Sequence, residues 1–181
     1  MRYVLFLSFI FFGISTATFG KESLNIGKLI IGCTTKCSFF YERALKRISK
    51  LNRIPITIID LSKNPELELS EVDGIVIPGG ADINPQYYLP YVEDELQRYT
   101  RGLDHLVNYN SEGERRDPFE YGLLKKYFND QSLYDLPVLG ICRGMQMLAV
   151  SQGIPLYVDI KTELGIRNRR YLYDRINVKD H

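Results

Sequence analysis

A cysteine stands between two glycines in the segment Gly140-Ile141-Cys142-Arg143-Gly144. This is the Gly-x-nucleophile-x-Gly form, in which a reactive side chain lies on a tight turn between a strand and a helix. The two glycines let the strand and the helix pass each other closely. Amides and partial positive charge at a helix start stabilise a thiolate over a thiol. We therefore predict that Cys142 is the nucleophile of an acyl-transfer reaction.

A second glycine-rich segment, Pro78 to Asp82 (PGGAD), follows another apolar run. Acyl transfer from an amide passes through a tetrahedral oxyanion, which needs backbone N–H donors that already point at it. Glycines expose such amides, so we predict an oxyanion hole formed by the N–H of Gly80, or of its neighbour, and that of Arg143. Each segment alone also fits a plain turn or an inert buried thiol, so the prediction depends on both lying at strand ends of one sheet.

The elements that must position these segments can be read from apolar patterns. Four short apolar runs are predicted strands: Lys28 to Cys33, Ile54 to Leu61, Asp73 to Gly80 and Leu136 to Ile141. Helical spacing after Ser38, a suitable N-cap, predicts a helix between the first two. Before the fourth, Asp117 as N-cap, Pro118 at the first helical position and Glu120 completing a capping box predict a helix start. Strands apolar on both faces that alternate with helices indicate an α/β fold with a mostly parallel sheet.

A polar, tyrosine-rich stretch from Pro85 to Arg116 separates the third strand from that last helix. It is longer than the ~12 to 15 residues usual for a structureless connection. We expect it to hold a short helix, within Val92 to Leu106, or to form a flap over a site. Residues that select the substrate's amine are expected here.

The composition excludes several kinds of partner. The 181 residues carry a formal net charge of +1, and 45% of them are hydrophobic, which fits one globular domain. A nearly neutral chain offers no broad field to a polyanion, so nucleic acid is not expected as a partner, and the arginines from Gly165 to Arg175 fit a solvated strand. No zinc-ligand spacing occurs, so neither a metal nor another cofactor is expected.

The first twenty residues have the layout of a signal peptide. Arg2 precedes an apolar run over residues 3–14, and Thr18 and Gly20 suit the −3 and −1 positions of a cleavage site. The run is shorter than the ~20 residues that span a bilayer, so no stable membrane span is expected after removal of the signal. We expect residues 1–20 to be a signal peptide, residues 24–181 to form the domain, and the protein to be exported to the periplasm or secreted. If the run is instead a buried element of the fold, the protein is cytoplasmic.

Three segments resemble the class I glutamine amidotransferase-like proteins, and within them the peptidase C26 branch typified by γ-glutamyl-γ-aminobutyrate hydrolase. They are DGIVIPGGADINPQYY, RRDPFEYGLL and LPVLGICRGMQMLAVSQGIPLYVDI. The resemblance implies a three-layer, flavodoxin-like α/β sandwich. It also implies cleavage of a small γ-glutamyl amide through a thioester on Cys142, with oxyanion amides from Gly80 and Arg143. Gly79 and Gln146 would contact the γ-glutamyl group.

Two further residues of the family pattern, Arg116 and Asp117, are left out of the predicted site. The capping role predicted for Asp117 accounts for that motif without any contact to substrate.

The base that the chemistry needs is not evident in the sequence. A cysteine nucleophile needs a base that takes its proton and returns it to the leaving amine. The family supplies one from a downstream His-Pro-Glu motif, which this sequence does not contain. Neither His181, a terminal residue with no orienting acid after it, nor His105, in the tyrosine-rich stretch, is assigned as that base.

Three functions remain open at this point. The first is a γ-glutamyl amide hydrolase that uses Cys142. The second is a degenerate or C-terminally truncated relative that lacks the base. The third is a thiol redox or signalling domain that uses Cys142 or the pair Cys33 and Cys37, whose spacing is wider than a Cys-x-x-Cys motif but allows a structural disulfide.

Overall fold

The structure is a computed structural model that describes residues 27–165. The predicted signal peptide and His181 lie outside the described residues.

Four parallel strands form one sheet in the order β2-β1-β3-β4. They are β1 (Leu29–Cys33), β2 (Ile56–Asp60), β3 (Gly74–Ile77) and β4 (Val138–Gly140). All four predicted strands are thereby confirmed, each within the bounds expected for it. Cys33 lies beside Val76, and Ile77 lies beside Gly140, so the carboxyl ends of β1, β3 and β4 meet at one edge. The glycine-rich segment and the cysteine segment both begin at that edge.

Within residues 27–165, five α-helices connect and flank the strands. They are α1 (Phe39–Asn52), α2 (Asp94–Gly102), α3 (Ser111–Asn129), α4 (Arg143–Ser151) and α5 (Ile160–Glu163). The predicted helix after Ser38 is α1, and the helix expected inside the tyrosine-rich stretch is α2. Of the helices within residues 27–165, none combines the length and apolar character needed to cross a membrane.

The core shows that the sheet is covered on both faces. Ile75 and Ile77 of β3 pack with Leu124 of α3 and Met147 of α4, all four fully buried or nearly so. Val76, which points to the opposite face, belongs to a second cluster that includes residues of α1. Helices therefore lie on each side of a parallel sheet, which confirms the expected α/β, flavodoxin-like arrangement.

Helix α1 buries only part of its predicted apolar stripe. Tyr41 and Leu45 pack against the second cluster, whereas Ile48 and Leu51 are exposed. The helical spacing thus predicted the helix correctly, and the face it buries is narrower than the pattern indicates.

The predicted start of α3 was wrong. Its N-cap is Asn110, whose side-chain oxygen accepts hydrogen bonds from the N–H groups of Glu112 and Gly113 at 2.9 and 3.2 Å. Asp117 does not cap a helix, the capping box with Glu120 does not form, and Pro118 lies inside the helix. Asp117 and Glu120 instead make buried ion pairs with Arg143, and α3 continues through Pro118 although a proline removes one backbone hydrogen bond.

Candidate active site

Cys142 occupies the tight turn between β4 and α4. Its backbone has φ 52° and ψ −110°, and among non-glycine residues 27–165 only Arg53, at the end of α1, also has a positive φ. A non-glycine residue in such a region costs about 1–3 kcal/mol and persists where the surrounding structure imposes it. The cysteine side chain is exposed, and its thiol is not part of a disulfide. The turn predicted from the two flanking glycines is therefore present.

The two glycines are required by close packing. A Cβ on Gly140 would lie 2.7 Å from the carbonyl carbon of Gly144, and a Cβ on Gly144 would overlap the carbonyl group of Ile77. The N–H of Ile141 also donates to the carbonyl oxygen of Ile77 at 2.9 Å. The turn at Cys142 is thus pressed against the end of β3, where no side chain fits.

The segment Pro78-Gly79-Gly80, which we name the PGG loop, lies directly beside this turn. A Cβ on Gly79 would lie 3.5 Å from the Cβ of Cys142 and 3.2 Å from the hydroxyl oxygen of Tyr41. Neither the N–H of Gly80 nor that of Arg143 donates a hydrogen bond to any acceptor within residues 27–165. Two backbone donors near an exposed thiol thus have no acceptor in this part of the chain.

A buried cluster of four charged side chains lies behind the turn and the PGG loop. We name it the α3 clamp, and it consists of Arg116, Asp117 and Glu120 of α3 and Arg143 of α4, each at most 5% exposed. The guanidinium of Arg143 donates to carboxylate oxygens of both Asp117 and Glu120. Arg116 donates to Glu120 from Nε at 3.1 Å and from Nη2 at 2.9 Å. Two positive and two negative charges compensate one another in the clamp.

Sequence reasoning missed this role of Arg116 and Asp117. The capping role that served to explain this motif was wrong, because a carboxylate that precedes Pro-x-Glu gives the same local signal whether it caps a helix or lies within one. Charged residues at positions 116, 117 and 120 share one face of a helix, and that spacing was the signal that could have revealed a buried cluster.

Burial and the neighbouring charges shift the pKa values of two residues of the α3 clamp, Asp117 and Arg143. Burial raises the pKa of the Asp117 carboxyl, while the N–H of Asn84, at 2.9 Å, and Arg143 act in the opposite direction. Burial lowers the pKa of the Arg143 guanidinium, but the carboxylates of Glu120 and Asp117 outweigh it and the pKa is raised. Arg143 therefore stays positive between its two carboxylate partners.

Arg116 also extends from the clamp to the PGG loop. Its Nη2 donates to the carbonyl oxygen of Pro78 at 2.9 Å, and its Nη1 donates to that of Gly79 at 3.0 Å. The same Nη1 donates to the carboxylate of Glu112 at 2.6 Å. A side chain at Gly80 would collide with this guanidinium. The loop is thus held by one arginine, and Gly80 has no room for a side chain unless this guanidinium moves.

Gln146 and His105, which the sequence analysis also considered, lie in different parts of the structure. Gln146 is in the first turn of α4, half-buried, and its N–H lies 3.3 Å from the carbonyl oxygen of Cys142. His105 is exposed after α2, and its Nδ1 is 3.0 Å from the carbonyl oxygen of Gly102. No group of three potential metal ligands occurs in the part of the chain that the structure describes.

Two of the cysteines are paired. Cys33 and Cys37 form a disulfide between the end of β1 and the start of α1, and both are almost fully buried. The structural pairing that the sequence left open is therefore present. Cys142 is the cysteine that stays accessible for chemistry.

The tyrosine-rich stretch forms a cleft of its own. Its volume is about 610 Å³, and polar side chains that include Gln97, Arg101 and Asp104 line it together with Pro85 and Leu89. Cys142 does not line this cleft.

Fold and site together define a class of protein. A parallel α/β sheet with a cysteine on a strand-to-helix turn and a glycine-rich loop at the neighbouring strand end is the arrangement of the class I glutamine amidotransferase-like proteins. The Peptidase C26 family model matches residues 33–179, and the chain belongs to this family. The resemblance read from the three sequence segments is thereby confirmed.

Individual relatives match a shorter part of the chain. A glutamine amidotransferase-like protein of Rickettsia prowazekii is 42% identical over 99 residues, which cover 54% of this chain and 29% of the relative. The glutamine amidotransferase-like protein YvdE of Lactococcus lactis is 31% identical over 102 residues, 56% of this chain and 36% of the relative. Protein NtpR of Enterococcus hirae is 28% identical over 116 residues, 64% and 41% respectively. The chain thus spans well under half the length of these relatives.

Proposed function

We propose that the protein is a hydrolase that cleaves a small γ-glutamyl amide through a thioester on Cys142. The observation that carries this proposal is the exposed thiol on a strained turn, next to two backbone N–H groups that have no acceptor among residues 27–165. Membership of the peptidase C26 family supports a hydrolase-like function.

The reaction proceeds in two steps. The thiolate of Cys142 attacks the γ-carbonyl carbon, a C–S bond forms, and the carbonyl electron pair moves to the oxygen. The N–H groups of Gly80 and Arg143 stabilise that oxyanion, and each such donor contributes about 10²- to 10³-fold to the rate. The oxyanion's electron pair then re-forms the carbonyl group as the C–N bond breaks, the nitrogen takes up the proton that the Cys142 thiol had released, and the amine leaves. Water hydrolyses the thioester to glutamate and regenerates the thiol.

Recognition of the glutamyl group is assigned to the residues around the turn. Gln146 lies one helical turn after Cys142, and a Cβ on Gly79 would lie 3.5 Å from that of Cys142, which supports assigning both residues to contacts with the acyl group.

A second candidate function is a relative that becomes acylated but does not turn over ordinary amides. One observation favours it: His105, the histidine within residues 27–165, is bound to Gly102 at the end of α2 and is exposed. Release of an amine needs a proton donor, whereas release of a phenolate does not.

Two substrates distinguish these functions. A γ-glutamyl amide and a γ-glutamyl aryl ester are offered to wild-type protein and to Cys142→Ala, and free glutamate and the mass of the intact protein are measured. A hydrolase releases glutamate from both substrates, and the alanine variant from neither. The second candidate reacts only with the ester and accumulates the glutamyl-protein. If folded wild-type protein reacts with neither, both functions are rejected.

We also propose that the protein is exported. The Cys33–Cys37 disulfide supports this location, because disulfides persist mainly in oxidising compartments. Sequencing the amino terminus of the mature protein from its native host tests the proposal. A mature chain that begins near residue 21 is expected, and a chain that keeps residues 1–20 in the cytoplasm contradicts it.

A further inference from the structure

We propose that Arg116 is a positioning residue that orients the backbone donors of the oxyanion hole. This inference rests on the proposed acyl chemistry at Cys142. It assigns a role to a buried side chain that is not expected to touch the substrate.

The first argument comes from the geometry of the peptide unit. In a planar trans peptide the carbonyl oxygen and the following N–H point in opposite directions. Arg116 binds the carbonyl oxygens of Pro78 and Gly79 with two nitrogens of one guanidinium. The N–H groups of Gly79 and Gly80 are therefore turned away from Arg116, and neither donates to a protein acceptor within the described range. One side chain fixes the direction of two successive donors.

The second argument is that the same helix holds the other half of the hole. The N–H of Arg143 opens α4, and the side chain of Arg143 is anchored by Asp117 and Glu120. Glu120 binds Arg116 with one oxygen and Arg143 with the other. The separation between the donors of Gly80 and Arg143 is thus set by adjacent residues of one rigid element. Such preorganised donors stabilise a developing oxyanion because they need not reorganise during the reaction.

The third argument is the choice of residue. A buried ion cluster is a poor source of stability compared with well-packed apolar side chains, so its presence calls for another role. The planar fork of arginine presents parallel donors at a fixed spacing, which a lysine ammonium does not. Arginine is therefore suited to hold two successive carbonyl groups, and lysine at this position would keep the charge but lose the spacing.

The experiment compares Arg116→Lys with Arg115→Lys, a control at an exposed residue of the same helix. Three readouts are taken on the full chain: acylation of Cys142 by a γ-glutamyl aryl ester, protection of Cys142 by butyraldehyde, and alkylation by iodoacetamide. Acylation and the aldehyde adduct both place an oxygen in the oxyanion hole. Alkylation displaces iodide and forms no oxyanion, so it reports only the reactivity of the thiol.

We expect Arg116→Lys to slow acylation about tenfold or more and to weaken aldehyde protection in proportion, because a misplaced donor loses much of its effect. Alkylation should stay within about twofold, and Arg115→Lys should match the wild type in all three readouts. Folded Arg116→Lys with unchanged acylation and aldehyde protection overturns the proposal. An equal decrease in all three readouts also overturns it, because Arg116 then only maintains the fold.

Two outcomes need a further measurement: a variant that does not fold, and a wild-type protein that is not acylated. If Arg116→Lys does not fold, Glu112→Gln replaces it, because Glu112 is half-exposed and binds the same Nη1 that holds Gly79. A selective loss of acylation in that variant supports the proposal, and no loss opposes it. If the wild type is alkylated but not acylated, the proposed function fails, and the aldehyde readout alone decides the role of Arg116. Absence of aldehyde protection in the wild type rejects the oxyanion hole and the proposal with it.

Discussion

The guanidinium of Arg143 is ion-paired with the carboxylate of Asp117, and both side chains are almost fully buried between α3 and α4. Arg143, which follows the candidate nucleophile, is thus anchored in the interior by its side chain, and its backbone N–H is the first of α4. This pair connects the stability of the domain to the geometry of the site.

Removing one partner of the Asp117–Arg143 ion pair should lower the free energy of unfolding more than replacing both partners by apolar residues. We expect Asp117→Ala to lower the free energy of unfolding by about 3–5 kcal/mol, because it leaves Arg143 buried with one partner fewer. The double variant Asp117→Leu with Arg143→Met should lose much less, since it removes both charges and leaves Glu120 paired with Arg116. Urea denaturation of the three proteins measures the difference. A double variant less stable than the single variant would contradict this account.

Gly144, two residues after Cys142, should not accept a side chain without a loss of stability. A Cβ on Gly144 would overlap the main chain of Ile77, so Gly144→Ala should lower the free energy of unfolding by about 1–3 kcal/mol or more, as overpacking does. Gly122→Ala is the matched control, because it lies inside α3 with no atom near its Cβ position. That variant should gain about 0.5–1 kcal/mol from helix propensity. Thermal unfolding checks both signs, and a stable Gly144→Ala would contradict the packing of the turn.

Thiol reactivity should separate the three cysteines. Because Cys142 is exposed and Cys33 and Cys37 are joined and buried, iodoacetamide should label the native protein at Cys142 alone. Labelling at all three positions should require reduction together with denaturation. Peptide mass spectrometry locates the label. A native label on Cys33 or Cys37, without reductant, would show that the disulfide is not formed.

Asn110, the N-cap of α3, should contribute to the stability of the domain. Asn110→Ala should lower the free energy of unfolding by about 0.5–2 kcal/mol, because its side chain accepts from the first N–H groups of the helix. Ser111→Ala, at the next position, makes no side-chain capping bond among the described residues and should have little effect. Equilibrium urea unfolding of both variants provides the comparison. Equal effects would argue against Asn110 as the cap.

The difference between the predicted and observed start of α3 shows what sequence patterns could establish. The four strands, α1 and the turn at Cys142 follow from local signals: apolar runs, helical spacing and paired glycines. Asp117 gave an equally clear local signal and was misassigned, because its real partner, Arg143, lies 26 positions away along the chain. Arg116 likewise binds Pro78 and Gly79 across 38 and 37 positions. Contacts at such separations depend on how strands are ordered in the sheet, and residue spacing does not encode that order.

Glu120 has a consequence for how members of this family can diverge. Its carboxylate accepts hydrogen bonds from Thr34 after β1, at 2.6 Å, from Arg116 of α3 and from Arg143 of α4. Loss of either arginine leaves the buried carboxylate of Glu120 with one cation fewer, and loss of Thr34 removes a hydrogen bond from the same carboxylate. The four positions should therefore be inherited as a set, and a lineage that loses one of them should carry compensating replacements at the others.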